Sequence, residues 1–226
     1  MTTTEALDPA RKALLHSRIR LIVAITIGYN VIEAIVAITA GTAASSGALI
    51  GFGLDSSIEV LSAAAVAWQF TRRDPERWEK GTLRVIAVAF FALAAYVSVN
   101  SALTLTKAVD VQHSTVGIVL TALSVIIMPF LSLTERRTGK ELGSATAIAD
   151  SRQTLICTYL SAAVLIGLLL NTLLGWWWAD PIAALVIVFF AIREGIEAWK
   201  GDPCATSVGM LLDDDEHDED DHRHCD

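Results

Sequence analysis

The sequence predicts an all-α polytopic membrane protein with six transmembrane helices. Three observations carry that expectation. First, the 226 residues have a mean hydropathy of +0.51, and 53% of them are hydrophobic. Second, the apolar residues come in six blocks, at 19–41, 47–70, 83–106, 114–133, 148–174 and 179–199. Each is close to the roughly 20 residues that a helix needs to cross the hydrocarbon core. Third, the basic residues fall on alternate sides of these blocks.

The blocks justify themselves in order. Residues 1–18 form a polar arm with Arg11, Lys12 and Arg18, and no small-residue cleavage site follows a short apolar core. A removable signal peptide is therefore not expected. Segment one carries Asn30 and Glu33, three apart on one helical face. Segment two carries Asp55 and Glu59. Segment three holds Tyr96, Ser98, Asn100 and Ser101. Segment four is the plainest and is interrupted at Met128-Pro129. Segment five opens with Asp150, Gln153 and Cys157 and contains Asn171 further along. Segment six begins at Trp178-Ala179-Asp180-Pro181, which is an ordinary helix-capping context for Asp180. Small residues such as Ala34, Ala37, Gly51 and Gly53 favour close helix packing.

Lysine and arginine placement sets the expected orientation. The arm, the loop after segment two (Arg72, Arg73, Arg77, Lys80, Arg84) and the loop after segment four (Arg136, Arg137, Lys140, Arg152) are basic. The three opposite loops hold only Lys107. Both termini are expected in the cytoplasm, and the chain in the cytoplasmic (inner) membrane. Three domains follow: an arm at 1–18, a six-helix transmembrane domain at 19–200 and a disordered cytoplasmic tail at 201–226.

The net charge of −8 belongs to that tail. Residues 213–226 hold nine acids and one arginine, leaving 16 acids and 16 bases in the rest. Charge runs of this kind are usually solvated. Yet His217, His222, His224 and Cys225 lie among the acids, a mixture suited to weak metal capture. The three cysteines are widely spaced and suggest no disulfide framework.

Asp55 and Glu59 are the most informative residues. A carboxylate at membrane depth is unfavourable by about 2.5–3.5 kcal/mol or more, so it rarely sits there without a task. Their i, i+4 spacing puts both on one face. Gln153 and Cys157 repeat the spacing in segment five. If segments two and five pack together, two carboxylates, an amide oxygen and a thiol converge. Carboxylate and thiolate both bind Zn²⁺, and sulfur disfavours Mg²⁺ and Ca²⁺. Metal binding to such groups releases protons. Asn30, Glu33, Asp150 and Asp180 are candidates for supporting positions or the ion path. A purely structural buried carboxylate pair is the competing reading.

Asn30-Val-Ile-Glu33-Ala-Ile-Val-Ala-Ile-Thr-Ala-Gly41, followed by Gly51-Phe-Gly-Leu-Asp55-Ser-Ser-Ile-Glu59, resembles the first two helices of the cation diffusion facilitator (cation efflux) family. Ala149-Asp150-Ser-Arg-Gln153-Thr-Leu-Ile-Cys157 aligns with that family's Ala-Asp-x-x-His-x-x-x-Asp, and Trp178-Ala179-Asp180 with the opening of its sixth helix. Gln153 stands where His is usual, and Cys157 where Asp is usual. The resemblance implies a cation-efflux six-helix bundle of proton-coupled exporters. It implies a metal site at Asp55, Glu59, Gln153 and Cys157, and a homodimer. It also implies a short form without the family's ferredoxin-like cytoplasmic domain, similar to the vesicular six-helix zinc transporter branch.

The function expected is proton-coupled efflux of a divalent metal, Zn²⁺ first, by a secondary transporter and not an enzyme. Its partners are the metal ion, protons and the bilayer, with no nucleic acid and no tightly bound cofactor. No Gly-rich phosphate loop is present, which excludes an ATP-driven pump. The rivals are an exporter of Fe, Mn, Co or Cd, and a non-transporting membrane protein that sequesters metal on its tail. An exporter of organic cations is a third; it normally needs aromatic lining, of which segments two and five offer little.

Overall fold

The computed structural model describes residues 9–70, 75–106, 111–142 and 145–200. The tail with His217, His222, His224 and Cys225 lies outside them, as do the side chains of Asp150 and Gln153. Six helices follow in order: α1 (Pro9–Ala44), α2 (Gly47–Phe70), α3 (Pro75–Leu105), α4 (Thr115–Leu142), α5 (Ala145–Leu174) and α6 (Ala179–Lys200). No strand is present among the described residues.

The helices reach beyond the apolar blocks at the ends expected to be cytoplasmic. α1 begins ten residues before residue 19, and α4 runs nine residues past residue 133. Hydropathy marks the part of a helix that lipid covers. A helix ends only where capping or a breaker ends it. The interruption expected at Pro129 does not occur, and α4 continues through it. In a membrane bundle, neighbouring groups take up the backbone carbonyl that proline leaves unpaired, so proline is tolerated within the helix.

Five helices, α1 to α5, hold stretches long and apolar enough to cross a membrane on their own. Every 18-residue stretch of α6 carries at least three charged residues. Their placement reconciles α6 with the bundle. Asp180 and Glu194 are buried against protein, while Arg193 and Glu197 pair with each other at 2.9 Å near the helix end.

The helices close a ring in the order α1, α2, α3, α6, α5, α4, with α2 also touching α6 and α5. The outside of the ring is apolar. Leu21, Ile32, Ile35, Val85, Val99, Ile126, Phe130, Ile166, Leu173 and Phe189 are all exposed. An apolar surface on every side suits lipid, not water. The interior is packed by Leu49, Phe52, Val97, Leu160, Val164, Leu168 and Ile187. Gly53 lets α2 lie against α1: a Cβ there would meet the Ile38 backbone nitrogen at 2.9 Å and Ala37 Cβ at 2.9 Å.

The turns are built from local chemistry. Ser46 caps α2, its hydroxyl accepting from Leu49 N–H at 3.1 Å. Ser114 does the same for α4 through Gly117 N–H. Gly175, at φ 67°, closes α5 in the left-handed conformation that glycine adopts without strain. The Trp176 and Trp178 rings then stack 4.9 Å apart in the short turn into α6.

Asp180 caps, but across the bundle. Its carboxylate accepts from the Ser46 hydroxyl and from Ala48 N–H at 3.3 Å, so it satisfies the start of α2. The bond fastens α6 to the α1–α2 turn. Asp180→Ala leaves Ser46 and the α2 amides buried without an acceptor, a loss of about 1–3 kcal/mol. A lower melting temperature of the detergent-purified variant is the expected result. An unchanged melting curve shows that the bond carries no stability.

Candidate metal centre

α2 is the helix with neighbours on most sides, so polar groups on its inner face are removed from lipid. Asp55 and Glu59 stand one turn apart on that face. Asp55 is buried, and Glu59 is partly buried. α5 brings up Cys157, also buried, one turn beyond Gln153. One ligand atom each from Asp55, Glu59 and Cys157 can be chosen so that all three lie within 4.8 Å of one another. Cys157 Sγ donates to Glu59 Oε1. The thiol proton therefore sits between two of the candidate ligands, where a bound cation would displace it.

α1 supports the cluster from the other side. Asn30 Nδ2 donates to Glu59 Oε2 at 2.6 Å, which fixes the carboxylate while Oε1 faces the thiol. Asn30 Oδ1 is buried and has no hydrogen-bond partner among the described residues. One unused acceptor thus remains beside the cluster, available to an ion or to water on an ion.

Of the residues singled out from the sequence, Asp55, Glu59 and Cys157 come together and Asn30 joins them directly. Glu33 does not join the cluster, bonding instead to Ser56 and Ser124. Asp180 is committed to the α2 cap, away from the cluster. Sequence reasoning missed Glu194. It is buried on α6, and its charge bears on Asp55. A signal was available: Asp180, Ala184, Ile187, Ala191, Glu194 and Ala198 recur at helical spacing, and all are buried. Reading that stripe places Glu194 inside.

The arrangement has the chemistry that could hold a cation. Two carboxylates and a thiol are gathered out of water within reach of a single ion. Crowded acids oppose one another's ionisation, and a divalent ion among them supplies the balancing charge.

A family profile for the cation efflux transmembrane domain matches residues 21–200. The chain belongs to the cation efflux family. The match runs from α1 through α6 and takes in both helices that build the cluster. Over 87 residues the chain is also 30% identical to the cation-efflux pump FieF of Shewanella oneidensis. That stretch covers 38% of this chain and 29% of the relative, so the chain is matched to less than a third of that protein's length.

Proposed function

We propose that this cation efflux family member is a secondary transporter that exports a divalent metal cation, Zn²⁺ first, in exchange for protons. The observation that supports this reading best is the convergence of Asp55, Glu59 and Cys157 inside an apolar bundle. Metal enters from the cytoplasmic side and is held by the two carboxylates and the thiolate, with Gln153 as a further ligand. Rocking of the helices turns the site outward, and returning protons release the ion. The termini face the cytoplasm, as the basic loops require. The membrane is the cytoplasmic one, and the assembly is a homodimer.

Purified protein in proteoliposomes, with a metal-sensitive dye and a pH-sensitive dye, tests this directly. The expected result is Zn²⁺ flux that speeds up with an imposed pH gradient and moves protons the other way. Flux indifferent to the gradient makes the protein a facilitator driven by metal alone. A screen of Fe²⁺, Mn²⁺, Co²⁺ and Cd²⁺ in the same vesicles identifies the metal. Removing residues 213–226 separates transport from sequestration. A transporter keeps most of its flux, whereas a protein that only captures metal on His217, His222, His224 and Cys225 loses its metal binding.

A further inference from the structure

α1 carries a second buried carboxyl, Glu33, which is 1% exposed. Its Oε2 accepts from the Ser56 hydroxyl of α2 at 2.8 Å, and its Oε1 accepts from the Ser124 hydroxyl of α4. Ser124 Oγ is also 2.7 Å from the Tyr29 hydroxyl. One carboxyl therefore joins three helices, and its neighbour Ser56 follows Asp55 directly in α2.

Both serines have a second acceptor within reach. Ser56 Oγ lies 3.2 Å from the Phe52 carbonyl, and Ser124 Oγ lies 3.0 Å from the Leu120 carbonyl. When Glu33 is ionised, both hydroxyls donate to it. When Glu33 is protonated, its O–H donates to one serine oxygen. That serine then turns its hydrogen to the carbonyl one turn back. Either way no buried donor is stranded, and stranding one is the larger penalty in a dry interior. A carboxyl serving only to hold helices together needs one of these arrangements. This network accommodates both.

The groups facing Glu33 are Tyr29 from its own helix, Asp55 from α2 and Cys157 from α5. Glu59 lies one turn beyond Asp55 and is engaged with Asn30 and Cys157. From α4 the Ser124 hydroxyl meets it. These titratable neighbours are all acids. Like charges oppose ionisation of a buried carboxyl, and a divalent cation nearby reverses that. We propose that Glu33 is the group that trades a proton for the metal, protonated while the Asp55–Glu59–Cys157 cluster is empty and ionised when a divalent ion occupies it. This role rests on the cluster being a cation site, and it adds that a coupled proton is stored outside the ligand set. It also supplies a proton carrier in a chain with glutamine, not histidine, at position 153.

Glu33→Gln is the decisive variant, because glutamine reproduces the hydrogen bonds of the protonated carboxyl and cannot ionise. Zn²⁺ affinity of the detergent-purified protein is measured against pH for wild type and variant. Glu33→Gln is expected to keep binding Zn²⁺ while losing about one proton of linkage, so that its Kd changes about tenfold less per pH unit than that of wild type. Ser124→Ala removes one donor to the ionised form. It is expected to move the pH dependence upward without changing the number of protons. Equal pH slopes in wild type and Glu33→Gln, with binding intact in both, overturn the role of Glu33 alone. Absence of Zn²⁺ binding by wild type overturns the cation site and this role with it.

Discussion

Asp55→Ala and Glu59→Ala are each expected to reduce metal flux to the background of empty vesicles while leaving folded protein in the membrane. The two residues supply both carboxylates of a cluster whose three ligand atoms lie within 4.8 Å. Glu33 is held by two serines and Asp180 by the α2 cap, so neither stands in for a lost ligand. Removing a residue that merely orients a ligand weakens metal sites by about 10–100-fold, and removing a ligand does more. Asn30→Ala is the internal yardstick. It releases Glu59 without deleting it, so it should weaken Zn²⁺ binding within that 10–100-fold range. Stability should not fall in Asp55→Ala, because that change takes one of several crowded acids out of the interior. Glu59→Ala also leaves the Asn30 amide and the Cys157 thiol without their acceptor, so it should be destabilised by about 1–3 kcal/mol while still folding. Wild-type flux from both variants would place the ion path elsewhere in the bundle.

How much of this was legible beforehand varies residue by residue. Asp55 and Glu59 stood out because lipid penalises charge, so an acid pair within an apolar block announces itself. Cys157 was legible through its i, i+4 spacing from Gln153, and its alignment with a ligand position strengthened that reading. A buried cysteine carries no such mark, being one of the commonest small apolar residues of protein interiors. Asn30 and Glu33 share a face of α1, and spacing alone assigned them together to packing or the ion path. The structure separates them: Asn30 reaches Glu59, whereas Glu33 reaches Ser56 and Ser124. One turn of helix is enough to send two side chains into different networks, and which network depends on α2 and α4. Asp180 shows the same limit. Its context read as a cap of its own helix, but the helix it caps is α2, which begins beside Ser46, 134 residues earlier in the chain. Helix limits were hidden for a different reason. Apolar blocks report the thickness of the bilayer, while α1 and α4 continue as helices beyond it.

The double variant Cys157→Asp with Gln153→His is expected to change which ion is preferred more than how fast ions move. A thiolate is a soft ligand and favours Cd²⁺ over Zn²⁺ more than a carboxylate does. Cys157 contributes the sulfur of the Asp55–Glu59–Cys157 cluster, and Cys157→Asp replaces that sulfur with a hard oxygen. Gln153→His adds an imidazole nitrogen, which suits Zn²⁺. The Cd²⁺ to Zn²⁺ flux ratio should therefore fall by about tenfold or more, corresponding to a loss of about 1.4 kcal/mol of discrimination. Two single variants divide the effect. Cys157→Ser keeps the volume and a hydrogen-bond donor to Glu59 Oε1 but removes the soft sulfur. It should lose Cd²⁺ preference without gaining Zn²⁺ affinity. Gln153→His alone should raise Zn²⁺ affinity while the thiolate still holds Cd²⁺. Competition of the two ions in one vesicle preparation reads both arms at once. If neither Cys157→Ser nor the double variant alters the ratio, the sulfur does not touch the ion, and its bond to Glu59 serves only to orient that carboxylate.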